Sequence, residues 1–150
     1  TATTSEDQDI ITAFGLTLRA DKMIADVDLD TFDFLVIPGG KYVQLTIDQD
    51  FLIQRVAKRF AERDKLIAAI CAGPRFLGRA GLLDGKRFTA FPGSEIDVPH
   101  GLYQPQKKVV RDENIITARG AGAVYEFSYE IIKYMDGEEK ANTIFKNIQY

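Results

Sequence analysis

Leu66-Ile67-Ala68-Ala69-Ile70-Cys71-Ala72-Gly73-Pro74 decides the fold of this 150-residue chain. Five apolar residues in a row read as a strand buried on both faces, as in a parallel sheet. The run ends in a single Cys followed by Ala-Gly-Pro. From Pro74 to Leu83 the apolar positions Phe76, Leu77 and Ala80 recur at helical spacing, with Gly81 and Gly85 bounding the end. A strand therefore turns sharply into a helix, and Cys71 sits at the turn. Unpaired N–H groups and the positive end of the helix dipole favour a thiolate there. Gly73 permits close backbone approach, and Pro74 suits a first helical turn. A lone Cys also serves as a small buried hydrophobe, and spacing alone leaves both readings open.

The same grammar recurs upstream. Phe34-Leu35-Val36-Ile37 is an apolar run closed by Pro38-Gly39-Gly40. Two glycines after a buried strand leave backbone N–H groups unshielded, as an oxyanion site requires, although an ordinary turn looks the same. Residues 48–63 show helical spacing through Phe51, Leu52, Val56 and Phe60. Arg87 to Phe91 reads as a strand stopped by Pro92-Gly93, and residues 94–106 as an irregular excursion. Lys107–Arg111 and Asn114–Ala118 read as a hairpin through an Asp-Glu turn. Helices are expected over Val124–Met135 and from about Gly137 to Ile148. Ile10–Phe14 and Leu16–Leu18 read as two short strands around Gly15. Strand and helix alternate, so the expectation is one α/β domain over residues 1–150, with a mostly parallel sheet and helices on both faces.

Composition narrows function. The net charge of -3 disfavours a nucleic-acid or anionic-membrane surface. One cysteine excludes an intramolecular disulfide, and one histidine makes a zinc site a poor expectation. No apolar run has the length of a membrane span, and Thr1–Asp7 lacks the basic start and apolar centre of a secretion signal. The expected compartment is a reducing cytoplasm. His100 lies between Pro99 and Gly101, where a surface loop is the expectation. Gly120-Ala121-Gly122 reads as a tight turn that fixes helix packing. Arg119 before it suits either a carboxylate ligand or a salt bridge, and the salt bridge is expected. No phosphate-binding glycine motif is present.

Ala68-Ala69-Ile70-Cys71-Ala72-Gly73-Pro74 resembles the nucleophile elbow of the ThiJ/PfpI superfamily, and within it the branch of the parkinsonism-associated deglycase and its chaperone-like relatives. Val36–Gly40, Thr89–Gly93 and Ile116–Gly122 with Glu126-Phe127 match in family order across nearly the whole chain. The resemblance implies a flavodoxin-like three-layer sandwich of the class I glutamine amidotransferase type, with no cofactor, forming a homodimer. It implies that Cys71 is the nucleophile, that Gly40 and Ala72 supply oxyanion-binding N–H groups, and that Gly39, Gly73, Arg119 and Gly120 form the supporting loops. The implied activity is glyoxalase or deglycase chemistry on methylglyoxal or glycated groups. A redox-sensing chaperone whose cysteine oxidises to sulfinic acid is the alternative.

Departures from the family pattern carry further expectations. Ala72 follows Cys71 where the protease-named branch has His, so peptidase activity is not expected. Phe91 stands where some relatives have a His. The family also begins with a strand and helix whose acidic residue hydrogen-bonds the cysteine, and Thr1 matches a point after them. The chain, which has no initiator Met, is therefore expected to be processed or to lie downstream in a longer product. These 150 residues alone are expected to be unstable through unpaired sheet edges.

Overall fold

Leu66 to Ala69 is buried almost to the last atom, and the architecture follows from that strand. In a computed structural model the described residues are 1–12 and 14–150. In chain order the elements are β1 (Ala2–Thr3), β2 (Asp9–Ile11), β3 (Thr17–Arg19), β4 (Lys22–Met23), β5 (Phe34–Ile37), α1 (Lys41–Thr46), α2 (Phe51–Ala61), β6 (Leu66–Ile70), α3 (Pro74–Arg79), β7 (Arg87–Phe88), β8 (Leu102–Tyr103), β9 (Val109–Asp112), β10 (Ile115–Ala118), α4 (Val124–Asp136) and α5 (Glu138–Asn147).

The central sheet has the order β5-β6-β10-β9. β5 and β10 both run parallel to β6, while β9 returns antiparallel to β10. Alternate residues of β6 face opposite cores. Ile67 and Ala69 pack with Val56, Phe60, Phe76 and Leu77 of α2 and α3. Leu66 and Ala68 pack with Ile116, Ala118 and Phe127, the last from α4. This is the helix–sheet–helix layering expected. Three two-stranded pairs, β1-β4, β2-β3 and β7-β8, flank the sheet.

β5 and β6 have the bounds read from the sequence. Several other elements differ for local reasons. The helix expected over 48–63 is the shorter α2, Phe51–Ala61. Asp50 caps α2 by accepting from the Leu52 and Ile53 N–H groups at 2.9 and 3.4 Å, so that helix starts at Phe51. α1, which the sequence reading left unassigned, begins directly after Gly40. α3 stops at Arg79 rather than Leu83. Gly81 takes φ +74°, and the Leu82 N–H returns to the Leu77 carbonyl at 2.9 Å, closing the helix end. β7 ends at Phe88 because the Thr89 N–H leaves the ladder for Thr117 Oγ1 at 3.0 Å. Of the strands expected around Gly15, β2 and β3 pair antiparallel, and Ala13 lies outside the described residues. β1, β4 and β8, each of two residues, were too short to carry a periodic signal.

The outer edge of β5 pairs with no strand among the described residues. Phe34 and Val36 on it stand 42% and 44% exposed. No helix among those residues is long and apolar enough to cross a membrane.

Candidate active site

Cys71 holds φ +63°, a left-handed backbone that non-glycine residues rarely adopt. Such strain persists only where the surroundings over-determine it. Here three neighbours do so. The Cys71 N–H donates to the Ala118 carbonyl at 2.9 Å, continuing the pairing of β6 with β10. The Cys71 carbonyl accepts the Phe91 N–H at 2.8 Å, and the Gly73 N–H returns to the Ile70 carbonyl at 2.9 Å. The turn then runs through Pro74 into α3. Cys71 itself is partly exposed while Ala72, Gly73 and Pro74 are buried, so a partly exposed residue stands on a buried base.

The loop after β5 presses on this turn. A Cβ on Gly39 would lie 2.7 Å from both the Ala72 nitrogen and the Cys71 Cβ, and 3.1 Å from Sγ. A Cβ on Gly73 would lie 2.6 Å from the Ile37 carbonyl oxygen. Real Cβ atoms do not approach that closely, so both glycines are required by contact between two backbones. Gly40 adopts φ +114° at the start of α1. Among the described residues the Gly40 and Ala72 N–H groups have no hydrogen-bond acceptor. The Gly39-Gly40 turn therefore meets the partly exposed Cys71 at the carboxyl ends of adjacent parallel strands, where ligands bind in open α/β sheets.

The rest of the rim comes from β10 and the turn after β7. Arg119 follows β10 and is exposed, with its N–H bound to the Lys108 carbonyl at 2.9 Å. The salt bridge expected for it is not formed: among the described residues its guanidinium pairs with no carboxylate. Lys108, one position before Val109, the β9 partner of Ala118, takes Glu126 instead. Gly120 is extended rather than left-handed, and a Cβ there would touch the Phe91 ring at 3.7 Å. Burial is the main effect pushing the Tyr103 phenol up, Glu95 adds to it, and Arg119 pulls it down. Gly120-Ala121-Gly122 leads through a short 3₁₀ turn into α4. His100 is exposed, and its carbonyl accepts the Gly85 N–H at 2.8 Å. No side chain among the described residues hydrogen-bonds Sγ.

Sequence reasoning missed one feature beside this site. Asp97 is buried, 6% exposed, and bonded by two arginines of α3. It lies 22 and 18 residues along the chain from them, so no local pattern announces the contact.

A parallel sheet with a strained cysteine between its carboxyl ends defines an α/β protein of the nucleophile-elbow class. Residues 1–134 match the DJ-1/PfpI family, and the chain belongs to it. Protein dj-1beta of Drosophila melanogaster is 34% identical over 129 residues, which are 85% of this chain and 69% of that protein. A glutathione-independent glyoxalase of Caenorhabditis elegans is 30% identical over 143 residues, 95% of this chain and 76% of that one. A deglycase of Pyrococcus abyssi is 34% identical over 122 residues, 81% and 73% of the two chains. Of the DJ-1 homolog A of Arabidopsis thaliana the chain spans only 34%, at 33% identity over 132 residues covering 87% of this chain. Among solved structures, Drosophila DJ-1beta superposes with a TM-score of 0.86 at 31% identity, over 95% of this chain and 77% of that one. The oxidized DJ-1 of Toxoplasma gondii reaches 0.88 at 29% identity, over 99% and 81%.

Proposed function

We propose that this protein is a cofactor-independent glyoxalase or deglycase that uses Cys71 as nucleophile on a small 2-oxoaldehyde such as methylglyoxal or on glycated groups. The observation that carries this reading is the partly exposed Cys71 held at φ +63° beside the free Gly40 and Ala72 N–H groups. The names of the Pyrococcus and Caenorhabditis relatives support the substrate class.

The thiolate attacks the aldehyde carbon, forming a C–S bond while the carbonyl electron pair moves to oxygen. The Gly40 and Ala72 N–H groups stabilise that oxyanion. The aldehyde proton then leaves its carbon, and a proton is delivered to the neighbouring carbonyl carbon. The result is a thioester that water hydrolyses to lactate, releasing the thiolate. Gly39 and Gly73 hold the two loops in contact, and Arg119 and Gly120 line the open side. No side chain on Sγ assists the proton step among the described residues, so turnover by residues 1–150 is expected to be slow. A positioned acid/base contributes roughly 10²–10⁴-fold.

A second reading is favoured by the exposure of the thiol and by the oxidized form in which the Toxoplasma neighbour was solved. In it, two molecules of peroxide, each reduced to water, oxidise the Cys71 thiolate through sulfenic to sulfinic acid, and the altered head group changes partner binding by a redox-sensing chaperone. One experiment separates the two. The protein and its Cys71→Ser variant are incubated with methylglyoxal and lactate is followed, beside a peroxide titration read by peptide mass spectrometry. Lactate that disappears with the variant supports the enzyme. Selective Cys71 oxidation without lactate supports the sensor.

We also propose a homodimer. The support is the β2-β3 hairpin, which leaves the large apolar side chains of Ile11, Phe14, Leu16 and Leu18 exposed. Sedimentation at increasing concentration, with Leu16→Glu as the disrupting variant, measures it. A monomer at all concentrations contradicts it.

A further inference from the structure

Three segments meet at Cys71, and each runs directly into an element that carries one part of a single ion-pair network. Gly39-Gly40 leads into α1, and Asp48 follows that helix. Cys71-Ala72-Gly73 leads into α3, which carries Arg75 and Arg79. Phe91-Pro92-Gly93 leads into the 3₁₀ turn Ser94–Asp97. Asp97 Oδ2 accepts from Arg75 Nε, its Oδ1 accepts from Arg79 Nε at 2.6 Å, and Arg79 Nη2 reaches Asp48 Oδ1 at 2.8 Å.

The network is graded in burial. The Asp97 side chain is 5% exposed and that of Arg75 17%, while Asp48 lies at the surface. Between the two arginines, Gly78 lets the turn pack backbone against backbone: a Cβ there would lie 2.2 Å from the Asp97 carbonyl oxygen. Asp97 holds the Arg79 guanidinium more firmly protonated than usual, through its hydrogen bond first and its charge second. A buried carboxylate with two charge-assisted bonds fixes geometry more tightly than a surface pair. The turn it fixes starts three residues after Phe91, whose N–H holds the Cys71 carbonyl.

We propose that Asp97 is a positioning residue for Cys71: by clamping the 94–97 turn to α3, it keeps the strained elbow and the Phe91 loop in their reactive arrangement. This rests on the reading of Cys71 as a reactive thiol, but its test does not need methylglyoxal turnover. The rate of Cys71 alkylation by iodoacetamide is measured on the full chain across pH up to the plateau where the thiol is fully ionised. Wild type is compared with Asp97→Asn, Arg79→Gln and Asp48→Asn, each checked for folding by circular dichroism.

For Asp97→Asn the plateau rate is expected to change about tenfold or more, since small misplacements of a reacting group have effects of this size. Asp48→Asn, at the exposed end, is expected to stay within about twofold. Where turnover is measurable, kcat falls with KM nearly unchanged. A folded Asp97→Asn protein with wild-type plateau rate overturns the proposal. If Asp97→Asn does not fold, Arg79→Gln decides, because it leaves the Arg75–Asp97 bond in place. A folded Arg79→Gln protein with an altered plateau rate supports the clamp, and one within about twofold of wild type overturns it. Failure of lactate formation alone, with alkylation rates that follow the clamp, counts against the glyoxalase reading and not against this one.

Discussion

The centre of the sheet and the amino-terminal hairpin are written in similarly apolar letters and end in opposite environments. Ile67 is fully buried at the centre, whereas Ile11 on β2 is 76% exposed. The centre is covered by α2 and α3 on one face and α4 on the other. The hairpin is held largely by ladder bonds and surface pairs such as Arg19–Asp9. Apolar sequence therefore specifies structure strongly only where both faces are covered, and it is from the covered region that Cys71 is presented. The proposed chemistry falls on the covered part, and the proposed dimer would use the exposed apolar surface of the hairpin.

The largest test of this contrast is Ile67→Ala against Leu16→Ala. The first opens a cavity between β6 and the α2–α3 layer and should cost about 2–5 kcal/mol in a denaturant melt. The second removes an exposed side chain and should stay within about 0.5 kcal/mol. Comparable losses would show that the hairpin packs on something in solution, and their concentration dependence would identify a second copy.

A finer test uses two glycines. At Gly73 an added Cβ meets the Ile37 and Ile70 carbonyls, and neither can move without moving a strand of the main sheet. Gly73→Ala should cost roughly 1–3 kcal/mol and should slow Cys71 alkylation as well. At Gly15, φ +83° with open space around it, the cost of Ala is backbone strain alone, about 1–2 kcal/mol, with no effect on the thiol. Thermal melts paired with alkylation rates separate the two effects.

The smallest expected effect is electrostatic. The Arg87 backbone N–H, and then its side chain, hold the Asp112 carboxyl below the usual carboxylate range. A carboxylate depressed on folding stabilises the protein above its unfolded value of about 3.9 and loses that contribution as pH falls through the lower folded value. Tm should therefore decline below about pH 4, and Asp112→Asn should flatten that part of the curve. An unchanged slope in the variant would assign the acid sensitivity to other carboxylates.

Much of this was legible in the chain. Phe34–Ile37 and Leu66–Ile70 were readable to the residue because a continuous apolar run closed by glycine or a Cys-Ala-Gly-Pro turn has few alternatives. The position of Cys71 followed from the same signal. The start of α2 depended on one capping carboxylate, Asp50, within a stretch whose apolar spacing is helical from Asp48 onward. The pairing of Arg119 was misread because only the folded chain puts Lys108 rather than Arg119 against Glu126. The Asp97 clamp joins residues 18 and 22 positions apart through an irregular turn, and no periodicity encodes that.

The most direct test of the account asks whether substrate reaches the thiol. Cys71 alkylation by iodoacetamide is followed by peptide mass spectrometry with and without methylglyoxal, using a Cys71→Ser protein as the blank. The account predicts that methylglyoxal protects Cys71 in a saturable way and that lactate appears only in the protein that keeps Cys71. Alkylation that proceeds at the same rate with methylglyoxal present, together with equal lactate from the Ser variant, would contradict it.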